Sequence, residues 1–310
     1  MKPIYSIIAP IYDEFENLPE LVRRVTEVMD SMHEEWELIL VDDGSTDGST
    51  ERIRELAKAD KRIRPVIFAR NFGHQVAITA GWDYARGDAV VIIDADLQDP
   101  PEMILELAKK WREGYEVVYA ARSEREGETW FKKFTAAAFY RLIRWITDVN
   151  IPVDTGDFRL MDRKVVDVLK QMRERHRFPR GMSAWVGFKQ VGVEYKRAAR
   201  YAGETKYPFR KMLKLALNAI TSFSYFPLQV ATFFGFGSAA VAILAIPVVI
   251  YLRVTGSQAF FGQATTLIAV LFLGGVQLIS LGILGEYIGR LYDEAKGRPL
   301  YIVREAPEDR

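Results

Sequence analysis

The stretch that decides the fold reads Ala89-Val90-Val91-Ile92-Ile93 and continues as Asp94-Ala95-Asp96-Leu97-Gln98-Asp99-Pro100-Pro101-Glu102. Its first five residues are apolar and mostly β-branched, which predicts a buried strand. The Pro-Pro pair ends that strand, and the apolar spacing beyond it predicts a helix. Asp94 and Asp96, with the amide of Gln98 close by, suit a hard divalent cation such as Mg²⁺ or Mn²⁺. A solvated acidic loop that caps the helix is the alternative interpretation.

The first 125 residues alternate between strand-like and helix-like segments. The strand-like segments are Ile4–Ile11, Trp36–Val41, Val66–Ala69, Ala89–Asp94 and Val117–Ala120, and the helix-like ones are Leu18–Met32, Thr50–Ala59, Val76–Ala85 and Glu102–Trp111. This alternation predicts an α/β fold with a parallel, doubly wound sheet. Neither G-x-G-x-x-G after the first strand nor G-x-x-x-x-G-K-[ST] is present, which argues against a dinucleotide dehydrogenase and a P-loop NTPase.

The composition narrows the classes of function. The 310 residues carry a net charge of +1, so bulk charge gives no sign of a nucleic-acid partner. The sequence has no cysteine, which removes disulfides, thiol catalysis and zinc–thiolate sites. Its three histidines make a histidine-rich metal centre a poor hypothesis.

The C-terminal third has the composition of a membrane segment. Arg253 is the only charged residue from Leu215 to Gly285, and each of two apolar runs exceeds the roughly 20 residues that cross a bilayer. Two buried core helices are the alternative. Seven basic residues and one acid lie between Lys196 and Lys214. The positive-inside rule therefore predicts a cytoplasmic N-terminal domain and, after two spans, a cytoplasmic C-terminal tail.

Two further segments combine basic and aromatic residues. Residues 129–147 contain four basic residues and no acid, and their apolar positions are rich in tryptophan and phenylalanine. This composition is typical of a helix in the membrane interface, and a core helix is the alternative. Residues 206–225 have a similar composition and lead directly into the first apolar run, which favours the interfacial interpretation there.

The ends of the predicted strands carry polar and aromatic residues. Residues 10–14 read Pro-Ile-Tyr-Asp-Glu and residues 41–47 read Val-Asp-Asp-Gly-Ser-Thr-Asp. The carboxyl ends of parallel strands meet at one edge of a sheet, so these residues and the Asp94–Gln98 segment should line one cleft. Asp43 could accept a hydrogen bond from a ligand N–H there, or the segment could be an ordinary turn whose Ser45 or Asp47 caps the next helix.

Taken in order, these motifs resemble the family-2 glycosyltransferases, and most closely the polyprenyl-phosphate type, which comprises bactoprenol glucosyltransferases and dolichyl-phosphate mannosyltransferases. The resemblance also rests on Arg70-Asn71-Phe72-Gly73, on residues 155–163 (Thr-Gly-Asp-Phe-Arg-Leu-Met-Asp-Arg) and on residues 201–207 (Tyr-Ala-Gly-Glu-Thr-Lys-Tyr). Asp13 departs from the asparagine usual in that family; both can accept a hydrogen bond, but only asparagine donates one.

The resemblance implies a GT-A fold and a set of site residues. A nucleotide pocket would be formed by Pro10, Tyr12, Glu14, Val41, Asp43, Asp94 and Ala95. A Mg²⁺ or Mn²⁺ ion at the diphosphate would be held by Asp94, Asp96 and Gln98. Arg200 and Lys206 would close over the diphosphate, and Asp157 would be the candidate general base.

The acceptor implied by the resemblance is a lipid phosphate. A phosphate monoester has a second pKa near ~6 and is mostly dianionic at neutral pH, so it needs little deprotonation. We therefore expect Asp157 to position the acceptor, or the cations around it, at least as much as it removes a proton. The cations expected at the lipid phosphate are Arg122, Lys132, Lys133 and Arg159.

The resemblance, together with the membrane segments, implies transfer of one sugar, with inversion, from a nucleotide-sugar to polyprenyl (undecaprenyl) phosphate at the cytoplasmic membrane face. UDP-glucose is the favoured donor and GDP-mannose the alternative. The expected organisation is a GT-A domain (1–200), a basic catalytic loop and juxtamembrane helix (201–225), two transmembrane helices (226–285) and a cytoplasmic tail (286–310). Gly282, Gly285 and Gly289 predict close helix packing, within one subunit or in a homo-oligomer.

Three rival functions are weaker. A processive polysaccharide synthase would have a Gln-x-x-Arg-Trp signature, but Arg141 stands where its glutamine should precede Arg144-Trp145. A lipid flippase needs a polar path, which two helices without intramembrane charge do not offer. A non-enzymatic membrane scaffold would not need Asp94, Asp96, Gln98 and Asp157, all of which are present.

Overall fold

The computed structural model describes residues 2–122, 155–195, 224, 226–255 and 263–307. The chain forms two compact units, one made of Met1–Ala216 with Arg298–Arg310 and the other of Leu217–Gly297. The predicted interfacial helix of residues 129–147, the segment 206–223, and Lys132, Lys133, Arg200 and Lys206 lie outside the described residues.

Within the described residues, the first unit contains eight strands and six helices. The strands are β1 (Tyr5–Ile11), β2 (Trp36–Asp42), β3 (Ile63–Phe68), β4 (Ala89–Ile92), β5 (Val117–Arg122), β6 (Thr155–Asp162), β7 (Gln190–Tyr195) and β8 (Val303–Glu305). The helices are α1 (Leu18–Ser31), α2 (Ser49–Ala59), α3 (His74–Tyr84), α4 (Met103–Arg112), α5 (Arg163–Gln171) and α6 (Pro179–Trp185). Every strand and helix predicted over the first 125 residues is confirmed, with bounds shifted by at most three residues.

All eight strands belong to one sheet, in the order β7-β5-β6-β4-β1-β2-β3-β8. β1 pairs in parallel with β2 and β4, and β2 pairs in parallel with β3. The expected, mostly parallel α/β sheet is confirmed; the exceptions are β6, which runs antiparallel to β4 and β5, and β8, which runs antiparallel to β3. Since β6 runs in reverse, its amino end lies at the same edge as the carboxyl ends of β1, β2 and β4.

The central strands are buried along their whole length. Every residue of β1, β2 and β4 is buried, as expected for strands covered by helices on both faces. Gly81 lets α3 approach β1 closely, because a Cβ atom at this position would lie 2.1 Å from Cγ2 of Ile8. The close contact fixes α3 against the sheet and so fixes the position of His74 at its first turn.

The C-terminal tail returns to this sheet, which the sequence did not predict. β8 pairs with the end of β3, and the amide of Ala69 donates a hydrogen bond to the carbonyl of Ile302 at 2.9 Å. The Tyr301 ring stacks on Phe68 with centroids 5.1 Å apart, and its hydroxyl donates to Asp83 at 2.8 Å. The tail therefore covers the edge of β3 and holds the end of that strand.

The second unit consists, in its described part, of two long helices, α7 (Phe226–Val254) and α8 (Gln263–Ala295). Both are long and apolar enough to cross a membrane, over Phe226–Leu252 and Ile268–Ala295, and neither window is buried inside the protein. α8 runs past Gly285, where the second transmembrane segment was expected to end. A Cβ atom added at Gly282, Gly285 or Gly289 would meet nothing within 4 Å among the described residues, so close packing at these glycines inside one subunit is not observed.

Candidate active site

The polar segments singled out in the sequence meet at one edge of the sheet. Tyr12 and Glu14 follow β1, Asp43 follows β2, and Pro10 pairs in register with Val41. The Asp94–Gln98 segment follows β4, and Asp157 lies near the amino end of β6. The strand order changes direction at β1 and β4, which is where open α/β sheets bind ligands. The expected meeting of these strand ends at one edge of the sheet is therefore confirmed, and the cleft that they should line stays a prediction.

Asp94 and Asp157 are brought together by the antiparallel register of β4 and β6. This register pairs Ile92 with Arg159, and continuing it by two residues brings Asp94 to Asp157. His74 Nε2 lies 3.5 Å from Asp94 Oδ1 and 3.5 Å from Asp157 Oδ2. His74 was not predicted from the sequence, because the expected start of α3 was Val76 and a lone histidine carries no pattern.

His74 is a cation held between two carboxylates. Burial alone would lower the pKa of this imidazole. The hydrogen bond with Asp157 and the negative charges of Asp94 and Asp157 outweigh that effect and raise the pKa of His74 to about 9. At neutral pH the protonated imidazole therefore offsets part of the negative charge in the cleft.

Asp157 is paired with Arg180, a residue on α6 that was likewise not predicted from the sequence. Arg180 Nε donates to Asp157 Oδ1 at 2.8 Å, and its Nη2 donates to Oδ2 at 3.2 Å. Burial would raise the pKa of Asp157, but Arg180 and His74 hold it well below its usual range. This carboxylate is a weak base in the described conformation.

Arg159 was the expected cationic partner of Asp157, and the structure assigns that partnership to Arg180 instead. The Arg159 side chain is 3% exposed and donates to the hydroxyl of Ser183 and, at 2.9 Å, to the carbonyl of Gly156. Burial lowers the pKa of Arg159 to about 10. Its guanidinium approaches only the backbone carbonyl of Asp157, at 3.4 Å, and not the carboxylate.

The segment after β4 contains a buried carboxylate oxygen that lacks a hydrogen bond. Asp94 Oδ1 has no hydrogen-bond partner among the described residues. Burial raises the pKa of Asp94 to about 6; His74 opposes the rise, whereas Asp157, Asp99 and Asp96 add to it. A divalent cation would offset both the missing contact and the excess negative charge, so the donor set fits a hard metal ion.

The same segment has a tight backbone that fixes its polar groups. Asp96 Oδ1 accepts a hydrogen bond from the backbone N–H of Gln98 at 3.1 Å. The buried Leu97 between these two residues has a φ of 58°. A leucine rarely adopts this left-handed conformation, so burial and the Asp96 turn must hold it there. Asp99 is fully buried and accepts a hydrogen bond from the Tyr195 hydroxyl at the end of β7.

A metal at this segment would need more ligands than the carboxylate and imidazole groups of the described residues supply. No group of three or more His, Cys, Asp or Glu side chains that could hold a metal ion is found among the described residues. Mg²⁺ in nucleotide sites is commonly bound by one or two carboxylates together with substrate phosphates. Asp94 and Asp96 with the Gln98 amide therefore make a partial ligand set that a diphosphate would complete.

The side chain of Asp13 stabilises the loop after β1 as a hydrogen-bond acceptor. Asp13 Oδ1 accepts from the Thr46 amide at 2.8 Å, and the amide of Asp13 donates to the Ser45 hydroxyl at 3.1 Å. Asp13 has a φ of 54°, a conformation that aspartate and asparagine tolerate better than other residues. An aspartate at this position is compatible with the contact, because no side-chain donor is needed.

Asp43 contacts the loop after β3 rather than standing open toward a ligand. Its oxygens accept from the backbone N–H of Phe72 at 2.6 Å and of Gly73 at 2.9 Å. Burial raises the pKa of Asp43, and these two hydrogen bonds oppose the rise. The expected bond to a ligand N–H would therefore add to, or replace, contacts that position residues 70–73.

Exposed aromatic side chains lie beside these polar groups. The rings of Tyr12 and Phe15 are 42% and 45% exposed, whereas Ala95 in the next segment is 4% exposed. Arg122 ends β5 and pairs with Tyr195 through the backbone, which places it near this edge of the sheet. Its predicted contact with a lipid phosphate stays a prediction, as do those of the nucleotide-pocket residues.

Comparison with known proteins assigns the family. The family model described as Glycosyl transferase family 2 matches residues 6–169, which span β1 to α5. This chain belongs to glycosyltransferase family 2. It is a glycosyltransferase, and its first unit has the mostly parallel sheet of the GT-A fold.

Relatives of this family-2 chain match nearly its whole length. An uncharacterized glycosyltransferase of Bacillus subtilis, YkcC, is 54% identical over 97% of this chain and 94% of its own. A protein of Escherichia coli named prophage bactoprenol glucosyl transferase homolog is 43% identical over 96% of this chain and 98% of its own. The bactoprenol glucosyl transferase of Shigella phage SfII is 42% identical over 97% of each chain.

Solved structures resemble the family-2 chain more distantly. Glucosyl-3-phosphoglycerate synthase from Mycobacterium tuberculosis, solved with Mn²⁺, UDP-glucose and phosphoglyceric acid, matches with 19% identity and a TM-score of 0.48. The match covers 71% of this chain and 78% of that one. Mannosyl-3-phosphoglycerate synthase from Rubrobacter xylanophilus matches with 17% identity and the same TM-score of 0.48, over 70% of this chain and 72% of its own.

Proposed function

We propose that this glycosyltransferase transfers one glucose from UDP-glucose to a polyprenyl phosphate, undecaprenyl phosphate being the expected form. The observation that carries the proposal is the extent of the similarity to relatives named bactoprenol glucosyl transferase. At 42–43% identity it covers 96–97% of this chain and thus includes both apolar helices as well as the sheet. An acceptor that lies in the membrane and is shared with these relatives explains why the similarity extends over both the sheet and the apolar helices.

The proposed reaction is a single displacement. A phosphate oxygen of the acceptor forms a bond to the anomeric carbon of the sugar, while the bond from that carbon to the diphosphate breaks. The electron pair of the broken bond leaves with the nucleoside diphosphate, and the anomeric configuration is inverted. The acceptor is mostly dianionic at neutral pH, with a second pKa near ~6, so the reaction needs little help from a base.

The described site residues support a reaction in which the enzyme supplies charge and orientation more than a base. Asp157 is a weak base, because Arg180 pairs with it, and it is well placed to orient cations around the acceptor phosphate. Asp94, Asp96 and Gln98 would hold Mg²⁺ or Mn²⁺, which supplies positive charge to the leaving diphosphate when bound. Protonated His74 lies 3.5 Å from both carboxylates and limits the repulsion that they exert on an anionic acceptor.

The remaining predicted cations complete the proposal. Arg200 and Lys206 would close over the diphosphate, and Arg122, Lys132 and Lys133 would serve the acceptor phosphate. Arg180 joins this second group, because its guanidinium lies beside Asp157 at the open edge of the sheet, whereas Arg159 is buried. Tyr12, Glu14 and Asp43 would contact the nucleoside, with Pro10, Val41 and Ala95 shaping the pocket wall.

Two observations support the proposed membrane arrangement. β8 pairs with β3, which favours the segments before α7 and after α8 lying on one side of any membrane that the two helices cross. The basic residues between Lys196 and Lys214 favour the cytoplasm as that side, by the positive-inside rule. The polyprenyl tail can then stay in the bilayer while its phosphate reaches the cytoplasmic face.

The test is transfer of labelled sugar into a lipid product. The full chain in detergent is incubated with undecaprenyl phosphate, Mg²⁺ or Mn²⁺, and radiolabelled UDP-glucose, GDP-mannose or a UDP-linked amino sugar. We expect the label to enter the organic phase with UDP-glucose, and an Asp96→Asn variant to give much less product. Transfer from GDP-mannose alone would replace the donor, and no transfer from any of these donors would contradict the proposed reaction.

A further inference from the structure

Gln75, the neighbour of His74 on α3, has a buried amide oxygen with no hydrogen-bond partner among the described residues. Its Nε2 lies 3.5 Å from Asp157 Oδ2, which is a long and weak contact. Asp94 Oδ1 also lacks a hydrogen bond, but it faces the charged His74 and belongs to the expected nucleotide and metal sets. Gln75 belongs to none of the expected ligand sets, so its buried oxygen is an acceptor to which no partner has been assigned.

Charge fixes which way the Gln75 amide points. Its NH₂ group faces the Asp157 carboxylate, and turning the amide would place an oxygen against that negative charge. The Gln75 atom that lacks a hydrogen-bond partner is therefore the oxygen, which is an acceptor. Leaving such an acceptor buried without a partner is unfavourable, and a bound donor would remove that cost.

The chemistry of the partner follows from the groups around it. A phosphate would place further acceptors against Gln75 Oε1 and the carboxylates of Asp94 and Asp157. An apolar group would leave the acceptors unsatisfied. A neutral ligand rich in O–H donors meets both requirements, and in a glycosyltransferase that ligand is the sugar itself.

We propose that Gln75 accepts a hydrogen bond from a hydroxyl of the transferred hexose, at a subsite beside Asp157. The proposal rests on the function proposed above and adds the residue that recognises the sugar. His74 lies next to Gln75 and contacts both Asp94 and Asp157, so it fixes the carboxylates that border the subsite. Specificity of this kind is strong, because a donor sugar without the hydroxyl leaves the buried acceptor unpaired.

The test compares a nucleotide with its sugar conjugate. Gln75→Met keeps the length of the side chain and removes the amide, and Gln171→Met makes the same change on the exposed side of α5 as the matched control. Affinities for UDP and for UDP-glucose, both with Mn²⁺, are measured by calorimetry on the full chain in detergent. We expect Gln75→Met to bind UDP as the parent chain does and UDP-glucose about tenfold more weakly, a loss of one good hydrogen bond. Gln171→Met should change neither affinity.

Two outcomes would overturn the proposal. Unchanged affinity for UDP-glucose would mean that water alone satisfies Gln75. An equal loss for UDP and UDP-glucose would place the residue at the nucleotide or the metal. The affinity for UDP also reports whether each variant is folded. If Gln75→Met misfolds and no longer binds UDP, the comparison is made with Gln75→Asn instead. Asparagine keeps the amide but is too short to reach the same hydroxyl.

Deoxy analogues of the donor identify the hydroxyl. The deoxy-sugar that lacks the contacted hydroxyl should bind Gln75→Met and the parent chain equally well, whereas the other analogues should keep the tenfold difference. A difference that persists with every analogue would contradict a hydroxyl contact. Failure of the proposed function has a separate signature, because the parent chain would then transfer no labelled sugar in the assay above.

Discussion

Asp94 and Asp157 meet through a single antiparallel strand pairing, and His74 Nε2 lies 3.5 Å from an oxygen of each. One carboxylate comes from the segment expected to hold a metal, and the other from the motif expected to serve the acceptor. The groups proposed for donor and acceptor chemistry therefore lie together at one point of the sheet. Two carboxylates this close repel each other, so the positive charges of His74 and Arg180 stabilise the pair.

Replacing Asp157 by asparagine should reduce the rate of transfer at every pH. The neutral side chain would no longer pair with Arg180, so the cation beside the acceptor would lose its position. We expect the rate of Asp157→Asn to stay low from pH 6 to pH 10, measured under saturating donor. Arg180→Gln should raise the KM for polyprenyl phosphate, because it removes the guanidinium of the Arg180–Asp157 ion pair. Full recovery of the Asp157→Asn rate at high pH would instead identify the carboxylate as a base.

Replacing Asp96 by asparagine should weaken metal binding. Loss of a direct ligand should lower Mn²⁺ affinity on the order of 10- to 100-fold, since even indirect partners of metal ligands carry effects of this size. The measurement is Mn²⁺ binding in the presence of UDP, followed by electron paramagnetic resonance. Glu102→Gln is the matched control, because Glu102 pairs with Arg24 at 2.6 Å and is not an expected ligand. Equal Mn²⁺ affinity in Asp96→Asn and Glu102→Gln would contradict the metal assignment.

The sequence predicted the strands of the first half because each is an apolar run between turn residues. Where these strands end, the topology of a parallel sheet is enough to bring Asp43 and Asp94 to one edge. β6 was missed as a strand, although Asp157, Phe158, Arg159 and Leu160 alternate polar and apolar residues, because both faces are buried and its polar positions suggested a site motif. Its reversed direction depends on which strands it pairs with, and local pattern does not contain that information.

The partners of the predicted residues could not be predicted from the sequence for a similar reason. Arg180 reaches Asp157 from a separate helix, and the spacing of 23 residues between them has no periodic meaning. Arg159 is nearer to Asp157 in sequence and lies on the same strand, but its guanidinium donates a hydrogen bond to Ser183 instead. The C-terminal tail was interpreted only by its charge, whereas Tyr301 and Ile302 bind the sheet through stacking and a backbone hydrogen bond.

Adding a methyl group at Gly44 should damage the nucleotide site through the loop after β3. Gly44 has a φ of +73°, and a Cβ atom there would lie 2.6 Å from the backbone of Arg70 and Asn71. We expect Gly44→Ala to displace the loop whose amides bind Asp43 and so to lower UDP affinity, measured by calorimetry.

Gly114→Ala is the control for the glycine substitution. Gly114 has a φ of +93°, but a Cβ atom added there would meet nothing within 4 Å among the described residues, so its replacement carries the backbone cost without the collision. That cost should be about 1–2 kcal/mol of stability, with UDP affinity unchanged. Similar UDP affinities in the two variants would mean that the loop does not determine nucleotide binding.

Removing the Tyr301 hydroxyl should weaken the attachment of the tail in a way that depends on pH. Tyr301→Phe keeps the stacking on Phe68 and loses the hydrogen bond to Asp83, which should cost about 1 kcal/mol at pH 8. Burial and the charge of Asp83 raise the pKa of Tyr301 above its unfolded value of 10.0. A raised pKa stabilises the fold fully below pH 10, and that contribution is lost as the pH rises further, because only the unfolded chain then releases the proton.

The measurement is urea unfolding of the full chain in detergent, followed by tryptophan fluorescence. All six tryptophans precede residue 200, so the signal reports the unit that contains the sheet. The difference in free energy of unfolding between the parent chain and Tyr301→Phe should be largest near pH 8 and should shrink above pH 10. Tyr115→Phe serves as the control, since the Tyr115 ring contacts Lys189 away from the tail. A difference that stayed constant up to pH 11 would show that the tyrosine hydroxyl does not hold the tail in place.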